Sequence, residues 1–256
     1  MPSSSRRAFG GRHELGQNFL VDRHVVARIA ALVPPGPVLE LGAGDGALTR
    51  QLAVRAGDVT AVELDPGRAA GLRRALGRRV RVVQADMLRF RFDAAVPNVV
   101  SNVPFGITTP VLRHLLAQGA WTTAVLLLQW EVARKRAAVG GTTLLTASWW
   151  PWYEFGLAGR VPASAFRPRP GVDGGILVIR RRQEPLVPPA ERVAYQRLLR
   201  EAFRGDRLLP AIRRAVPAPH RWLAAQGLDE WARPRELTAE MWAALYEAAS
   251  PRRRNR

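Results

Sequence analysis

The feature that most constrains the fold is the alternation of short apolar runs with segments of helical periodicity between residues 38 and 128. Five apolar runs predict strands, at residues 38–41, 59–64, 80–83, 96–101 and 124–128. Segments with apolar side chains at helical spacing, such as Leu48, Leu52 and Ala56, lie between them. This alternation predicts an α/β fold in which helices cover both faces of a parallel sheet. A further strand is predicted at residues 175–180.

The composition of the chain divides it into four predicted parts. Residues 1–14 resemble a disordered basic arm, and residues 251–256 form a basic tail. Residues 15–182 contain the predicted sheet, after a first helix that Asp22 is placed to cap. A proline-rich stretch then leads into residues 183–250, where apolar residues fall on helical stripes. This last part is predicted to be a small all-helical domain.

The charge of the chain points to its partner. The chain has 39 basic and 21 acidic side chains and a formal net charge of +18, and Lys135 is its only lysine. A GC-rich genome explains the preference for arginine over lysine, but it does not explain why the net charge of the chain is positive. A surplus of this size indicates a polyanionic partner, and nucleic acid is the first interpretation. An anionic membrane surface, or no partner at all, are the alternatives.

The composition also excludes several classes of chemistry. The chain has no cysteine, so disulfides, thiolate metal sites and cysteine nucleophiles are excluded. The four histidines are dispersed along the chain, and no metal site is expected. We expect neither a membrane span nor a secretory signal. The prediction is therefore a cytoplasmic monomer with no metal and no membrane partner.

Glycines follow the first predicted strand, in the sequence Glu40-Leu41-Gly42-Ala43-Gly44-Asp45-Gly46. A glycine turn at the carboxyl end of a parallel strand lets the backbone approach a ligand closely. The spacing differs from that of pyrophosphate-binding loops, and the carboxylates of Glu40 and Asp45 would repel a phosphate. The turn therefore favours a nucleoside without a pyrophosphate. A purely structural turn is the alternative.

Acidic residues end the next two predicted strands. Glu63, followed by Leu64, stands where a carboxylate can accept hydrogen bonds from both ribose hydroxyls. Asp86 can accept a hydrogen bond from the exocyclic amine of an adenine, while Met87 packs on the ring. Taken singly, Glu63 also fits a solvent-facing carboxylate, and Asp86 also fits a helix N-cap.

The fourth predicted strand leads into Ser101-Asn102-Val103-Pro104-Phe105. The Asn102 amide oxygen can accept a hydrogen bond from an exocyclic amine. Pro104 restricts Val103 to an extended conformation, which can aim the Val103 carbonyl outward as a second acceptor. Phe105 can stack on a planar base, although the pattern alone also fits an ordinary turn. Together with the acidic residues at the preceding strand ends, it describes a site for S-adenosylmethionine with Asn102 beside the methyl donor.

The motifs resemble those of the ribosomal RNA adenine N6-dimethyltransferases over nearly the whole chain. The matching positions are residues 16–20, 40–46, Glu63, Asp86, 102–105 and 166–170. Within that family, residues 102–110 and 170–174 resemble the Erm branch of actinomycetes. That branch methylates 23S rRNA and confers resistance to macrolide, lincosamide and streptogramin B antibiotics.

The resemblance implies a Rossmann-like class I methyltransferase sheet with a small helical C-terminal domain. It implies methyl transfer from S-adenosylmethionine to N6 of an adenine in 23S rRNA, which leaves S-adenosylhomocysteine. The partner would be 23S rRNA or a precursor ribosomal particle. Residues 102–105 would be catalytic, and Phe166 would close over the base together with Phe105. The implied cofactor-binding residues are Asn18, Leu20, Gly42, Gly44, Glu63, Leu64, Asp86, Met87 and Asn102.

Three other functions share parts of this pattern. A small-subunit (16S) rRNA adenine dimethyltransferase of ribosome maturation is the alternative inside the family. A DNA adenine methyltransferase usually has Asp at the position of Asn102 and an added recognition domain, for which this chain leaves little room. A non-catalytic RNA-binding protein would have no need for complete donor and acceptor sites.

Two further stretches carry less specific signals. The aromatic residues at 149–153 are interpreted as strand and core packing, with RNA stacking as the alternative. The basic residues at 134–136 fit either a phosphate contact or a solvated helix face.

Overall fold

The computed structural model of the protein describes residues 18–92, 97–119 and 121–250. The predicted basic arm and basic tail lie outside these ranges. The strands are β1 (Phe19–Leu20), β2 (Val38–Leu41), β3 (Val59–Glu63), β4 (Arg81–Gln84), β5 (Asn98–Asn102), β6 (Thr123–Gln129), β7 (Tyr153–Val161), β8 (Phe166–Arg167) and β9 (Gly174–Arg181). The α-helices are α1 (Arg23–Ala31), α2 (Ala47–Ala56), α3 (Pro66–Leu76), α4 (Thr108–Gln118), α5 (Trp130–Arg136), α6 (Leu144–Trp149), α7 (Arg192–Ala202), α8 (Leu208–Ile212), α9 (Pro219–Ala225) and α10 (Ala239–Ala249).

Seven strands form one sheet in the order β4-β3-β2-β5-β6-β9-β7. The first five of these run parallel, as the strand–helix alternation predicts. The strand order reverses at β2, which pairs with β3 on one side and β5 on the other. Such a reversal leaves a crevice at the carboxyl ends of the strands. The predicted α/β class is therefore confirmed, and the position of a ligand site follows from the topology.

The sheet is not wholly parallel, which corrects the sequence interpretation. β9 pairs antiparallel with both β6 and β7. The chain passes from β7 to β9 through residues 162–173, which contain no α-helix and so cannot form a parallel crossover. The signal of β7 is weak because Gly156 and Gly159 interrupt it, and a register shift falls between Leu157 and Gly159.

The aromatic stretch at residues 149–153 is only partly what the sequence predicts. Trp149 is the last residue of α6 and Tyr153 the first of β7, so the stretch is a helix–strand junction rather than a strand. The core-packing interpretation fits Trp152 and Tyr153, which are both buried. Trp149 is half-buried, and its ring lies 6.2 Å from that of Trp152.

Both faces of the sheet are covered by buried apolar side chains. One face packs against α1 and α2, where Asp22 caps α1 by accepting hydrogen bonds from the backbone of His24 and Val25. The other face packs against α4 and the C-terminal helices, which bring Tyr195 and Trp242 into the same cluster as the sheet. The helices after residue 189 therefore share a core with the sheet. Among the described residues, no helix is long and apolar enough to cross a membrane.

One buried hydrogen bond joins α7 to α6 across this shared core. The Tyr195 hydroxyl donates to the Ala147 carbonyl at 2.9 Å, and Tyr195 is fully buried. We expect Tyr195→Phe to lower the free energy of unfolding by about 1 kcal/mol, because one neutral hydrogen bond is lost. Urea unfolding followed by circular dichroism measures this loss. A single transition is expected in both proteins, and two separate transitions would contradict the shared core.

Candidate active site

A pocket opens at the carboxyl ends of β2, β3, β4 and β5, where the strand order reverses. All the residues predicted to bind the cofactor line it: Asn18, Leu20, Gly42, Gly44, Glu63, Leu64, Asp86, Met87 and Asn102. The topology thus brings the separate sequence motifs to one place. Which molecule they bind remains a prediction.

The glycine turn after β2 requires glycine for conformation and for space. Gly42 and Gly44 have φ angles of 72° and 55°, in the left-handed region that side chains disfavour. A Cβ added at Gly42 would lie 2.5 Å from Met87 Cε, and one added at Gly44 would lie 3.2 Å from Phe19 Cε1. The turn is therefore packed between two side chains that themselves line the pocket.

Glu63 is buried at the end of β3, with 4% of its surface exposed. Its Oε2 accepts a hydrogen bond from the Gly44 backbone at 2.7 Å, and its Oε1 accepts one from the Asp65 backbone at 2.9 Å. The solvent-facing alternative is therefore wrong. Each carboxylate oxygen has a second lone pair, so the group can still accept hydrogen bonds from ligand hydroxyls.

Asp86 caps a turn rather than a helix. Its Oδ1 accepts a hydrogen bond from the Leu88 backbone at 2.8 Å, and its Oδ2 lies 3.8 Å from Arg89 Nε. The residues that follow form turns before the chain leaves the pocket edge. One carboxylate oxygen thus holds the loop after β4, and Met87 lines the pocket beside it.

Glu40 is a pocket residue that the predicted set leaves out. It is 2% exposed on β2 and lines the pocket, and its Oε2 has no hydrogen-bond partner among the described residues. Burial, with a smaller contribution from the nearby Glu63 carboxylate, raises the pKa of Glu40 to about 8. The available signal is an acidic residue near the end of a predicted strand, two positions before the glycine turn, since Glu63 also lies at a strand end.

The loop after β5 holds the predicted acceptor residues. Asn102 Nδ2 donates to the Asn18 carbonyl at 2.9 Å, which directs Oδ1 away from that carbonyl. The Val103 backbone donates to the Leu127 carbonyl at 3.0 Å, and Pro104 has φ −54° and ψ 129°. Phe105 then begins a short 3₁₀ turn. Asn102 and Pro104 line the pocket, so the acceptor loop meets the predicted cofactor residues.

Phe166 stands behind Phe105 rather than at the pocket surface. The two rings are 6.2 Å apart at 69°, and Phe166 is fully buried where β8 pairs with β1. A buried ring has no free face on which to stack a base. In the structure Phe166 packs against Phe105, and its closure over a base stays a prediction.

Phe19 and Ile107 also line the pocket, although sequence reasoning did not single them out. Both lie next to predicted residues, and neither carries a polar group that marks a site. Within the described ranges, no three His, Asp or Glu side chains cluster as metal ligands do.

The basic residues on α5 have three different environments. Arg134 pairs with Glu131 at 3.3 Å, and Lys135 is exposed. Arg136 is partly buried and donates to the hydroxyls of Thr143 and Thr109 at 2.8 and 3.4 Å. Burial, and then the neighbouring Arg113, lowers the pKa of the Arg136 guanidinium. The solvated-face interpretation therefore fits Lys135 but not Arg136.

The sheet order and the pocket at its reversal define a Rossmann-like methyltransferase. The profile of the family described as "Ribosomal RNA adenine dimethylase" matches residues 8–249, and the chain belongs to this family. The family membership predicted from the motifs is thereby confirmed.

Similar proteins lie in the predicted branch. The chain is 56% identical to the mycinamicin-resistance protein MyrB of Micromonospora griseorubida, over 93% of this chain and 79% of that protein. It is 50% identical to an rRNA adenine N-6-methyltransferase of Corynebacterium diphtheriae, over 77% of this chain and 79% of that protein. The crystal structure of the 23S rRNA methyltransferase ErmE superposes with a TM-score of 0.83 at 35% identity, covering 91% of this chain and 99% of that one.

The buried Glu40 carboxyl predicts a pH-dependent stability. Its pKa is higher in the folded protein than in the unfolded chain, so its contribution to stability falls as pH rises from about 4.5 toward 8. Glu40→Gln removes this titration. Between pH 6 and pH 9, the stability of the variant relative to wild type should increase by about 2 kcal/mol. Urea unfolding at both pH values measures the difference, and equal pH profiles would show that Glu40 does not titrate as inferred.

Proposed function

We propose that this protein transfers a methyl group from S-adenosylmethionine to N6 of an adenine in 23S rRNA, and so confers resistance to macrolide, lincosamide and streptogramin B antibiotics. The observation that carries the proposal is one pocket lined by the glycine turn, by the acidic strand ends and by Asn102 and Pro104 of the acceptor loop. The similarity to a resistance protein and to a 23S rRNA methyltransferase supports the same function.

The pocket residues suit S-adenosylmethionine. Glu63 would accept hydrogen bonds from the ribose hydroxyls, Asp86 would accept one from the adenine amine, and Met87 would pack on the ring. The Oε2 atom of Glu40, which lacks a partner among the described residues, is an acceptor suited to an ammonium group. Gly42 leaves the space that the Met87 side chain occupies beside the pocket. When bound, the cofactor supplies an electrophilic methyl group on a sulfonium.

The acceptor loop would make the target amine nucleophilic. The N6 lone pair of adenine is delocalised into the ring, so the amine is a poor nucleophile. Hydrogen bonds from N6 to Asn102 Oδ1 and the Val103 carbonyl favour a pyramidal nitrogen with a localised lone pair. Attack in line with the methyl group follows, and the product cation is acidic enough to lose its proton to solvent. The rate enhancement therefore comes mainly from positioning and electrostatics.

The target base must leave its stack to reach this loop. Phe105 would replace part of the lost stacking, which is worth roughly 1–3 kcal/mol on comparable platforms. Phe166 supports the Phe105 ring from behind at 6.2 Å. The two aromatic side chains thus have different roles, one in contact with the base and one in the core.

Arg136 would bind a phosphate of the RNA near the target base. Its hydrogen-bond partners among the described residues are threonine hydroxyls, and Arg113 adds a second positive charge. Thr109 lies in the first turn of α4, which begins directly after the acceptor loop. A phosphate would supply the negative charge that this partly buried guanidinium needs.

The remaining features of the proposal concern the whole protein. Residues 15–182 would form the methyltransferase domain and residues 183–250 a helical domain that packs on it. The protein would act as a cytoplasmic monomer on 23S rRNA or a precursor particle. Among the described residues, nothing in the fold conflicts with this arrangement.

Removal of the acceptor amide tests the reaction. Asn102→Ala should abolish methylation while S-adenosylmethionine binding stays measurable by calorimetry, because the acceptor contacts of Asn102 act mainly on the transition state. The assay uses labelled S-adenosylmethionine with separated 23S and 16S rRNA. Gln129→Ala, at the end of the neighbouring strand and outside the pocket, is the matched control.

Each outcome of this assay decides one part of the proposal. Wild-type turnover by Asn102→Ala would exclude the catalytic role of Asn102. Label in 16S rather than 23S rRNA would favour the ribosome-maturation alternative. Label in neither RNA, with cofactor binding intact, would indicate another substrate.

Arg136→Gln tests the phosphate contact. We expect RNA affinity to fall by roughly tenfold and its salt dependence to weaken, because one charged phosphate contact is lost. Filter binding at two salt concentrations measures both effects, and S-adenosylmethionine binding should not change. Lys135→Gln is the matched control, since Lys135 is an exposed neighbour on the same helix. Equal losses in the two variants would show that only general charge matters.

A further inference from the structure

We propose that Arg68 is a positioning residue: by clamping Phe19 against the glycine turn, it fixes the Asn18 carbonyl that orients the Asn102 amide for methyl transfer. The inference rests on the proposed function and adds to it a residue of α3 that belongs to none of the motifs. The acceptor chemistry requires the Asn102 amide oxygen to face the target amine, but it does not explain what holds the amide in that orientation.

The orientation of the Asn102 amide matters because its two ends have opposite hydrogen-bonding character. Only the oxygen can accept a hydrogen bond from an amine, and a flipped amide would present donors to the substrate. In the structure, Asn102 Nδ2 donates to the Asn18 carbonyl at 2.9 Å. This bond selects the orientation in which Oδ1 remains available as an acceptor. The position of the Asn18 carbonyl therefore decides which atom meets the target amine.

The Asn18 carbonyl belongs to the segment that leads into a short ladder. The next residue, Phe19, begins β1, a strand of two residues that pairs with the equally short β8. After the ladder, the Val21 and Asp22 backbones donate to the Ala165 carbonyl at 2.9 and 3.3 Å. The side-chain contacts of Phe19 add to these backbone bonds.

Phe19 has contacts with both the glycine turn and Arg68. One edge of its ring lies against the glycine turn, since a Cβ added at Gly44 would lie 3.2 and 3.3 Å from two of its ring atoms. The Arg68 guanidinium carbon lies 4.6 Å from the ring centroid. A cation over an aromatic face at this distance is attractive. The backbone turn and the guanidinium thus both restrict the position of Phe19.

Arg68 is itself anchored to the same glycine turn. Its Nε donates to Asp45 Oδ1 at 3.1 Å, and its side chain is 33% exposed. Asp45 lies between Gly44 and Gly46, so the ion pair ties the guanidinium to the surface on which Phe19 rests. An exposed ion pair alone contributes little stability, but here it fixes the direction of a planar group. The contacts form one connected series from Asp45 through Arg68 and Phe19 to the segment that carries Asn18.

Arg68→Met tests this series, because methionine keeps the length of the side chain and removes the guanidinium. We expect kcat for 23S rRNA methylation to fall by roughly tenfold or more, since misorientation of the acceptor acts on the transition state. The Kd for S-adenosylmethionine, measured by calorimetry, should change by less than about threefold, because Glu63, Asp86 and Met87 are untouched. Arg68→Lys keeps the ion pair and should recover part of kcat.

A second readout is independent of activity. The chain has four asparagines, at positions 18, 98, 102 and 255, so asparagine-selective ¹⁵N labelling yields four side-chain amide pairs in the NMR spectrum. The Asn102 pair is identified by its loss in Asn102→Ala. Its hydrogen-bonded proton should exchange slowly with solvent in the wild type and faster in Arg68→Met. A merely structural role for Arg68 would leave this pair unchanged.

Two further variants complete the test. Arg74→Met is the matched control, since Arg74 is an exposed arginine on the same helix, six residues after Arg68. It should leave kcat and the Asn102 amide pair unchanged. Phe19→Leu removes the clamped ring instead of the clamp, and it should reproduce the loss of kcat and the faster exchange of the Asn102 amide. Because Phe19 lines the cofactor pocket, a constant cofactor affinity is expected only for Arg68→Met. This variant decides the matter if Arg68→Met does not fold, as judged by thermal unfolding.

The outcomes separate this proposal from the proposed function. An unchanged kcat, an unchanged Asn102 amide pair, or a loss of kcat matched by an equal loss of cofactor affinity would overturn the role of Arg68. If wild type and Arg74→Met both fail to methylate rRNA, the proposed function fails instead. In that case the amide exchange alone still supports or overturns the positioning role.

Discussion

The structure depends on the reversal of strand order between β2 and β5. Their parallel register ends with Glu40 opposite Val100. The Leu41 carbonyl at this point accepts a hydrogen bond from the buried Ser101 hydroxyl at 2.7 Å. That bond satisfies a buried backbone group that the ladder no longer pairs. The Leu41 carbonyl is therefore not left unpaired where the ladder ends. The glycine turn follows β2 and the acceptor loop follows β5, and both line the same pocket.

The pocket at this crevice combines buried acidic groups with backbone donors. Glu63 is compensated, because two backbone N–H groups donate to its carboxylate. Glu40 is not compensated in the same way, and burial raises its pKa. Its Oε2 atom has no hydrogen-bond partner among the described residues and is suited to a cationic ligand group, which would favour the charged carboxyl as the nearby Thr49 hydroxyl does. The two neighbouring carboxyls thus differ: Glu63 is bonded to the backbone of the pocket, whereas Glu40 has an oxygen that a ligand can contact.

The sequence predicts the features that depend on local pattern. Gly42, Glu63 and Asp86 follow strands whose apolar runs are clear, so their convergence follows from the rule that parallel strands share one edge. The burial of Phe166 and the direction of β9 do not follow from pattern, because both depend on the unpredicted strand β7 and on a pairing between distant segments. The environment of Arg136 likewise depends on distant residues, Thr109 of α4 and Thr143 before α6, whose hydroxyls accept its hydrogen bonds. Periodicity locates a residue along its own element, but it does not show which other element will cover it.

The pairing of β1 with β8 joins the two halves of the active site. Leu20 of β1, a pocket residue, is opposite Phe166, which supports the Phe105 ring. Two residues earlier, the Asn18 carbonyl accepts the hydrogen bond of the Asn102 amide. One short segment therefore contacts the donor pocket, the acceptor amide and the aromatic pair. Because these contacts share a backbone, β1 links the wall of the cofactor pocket to the loop that holds the acceptor amide.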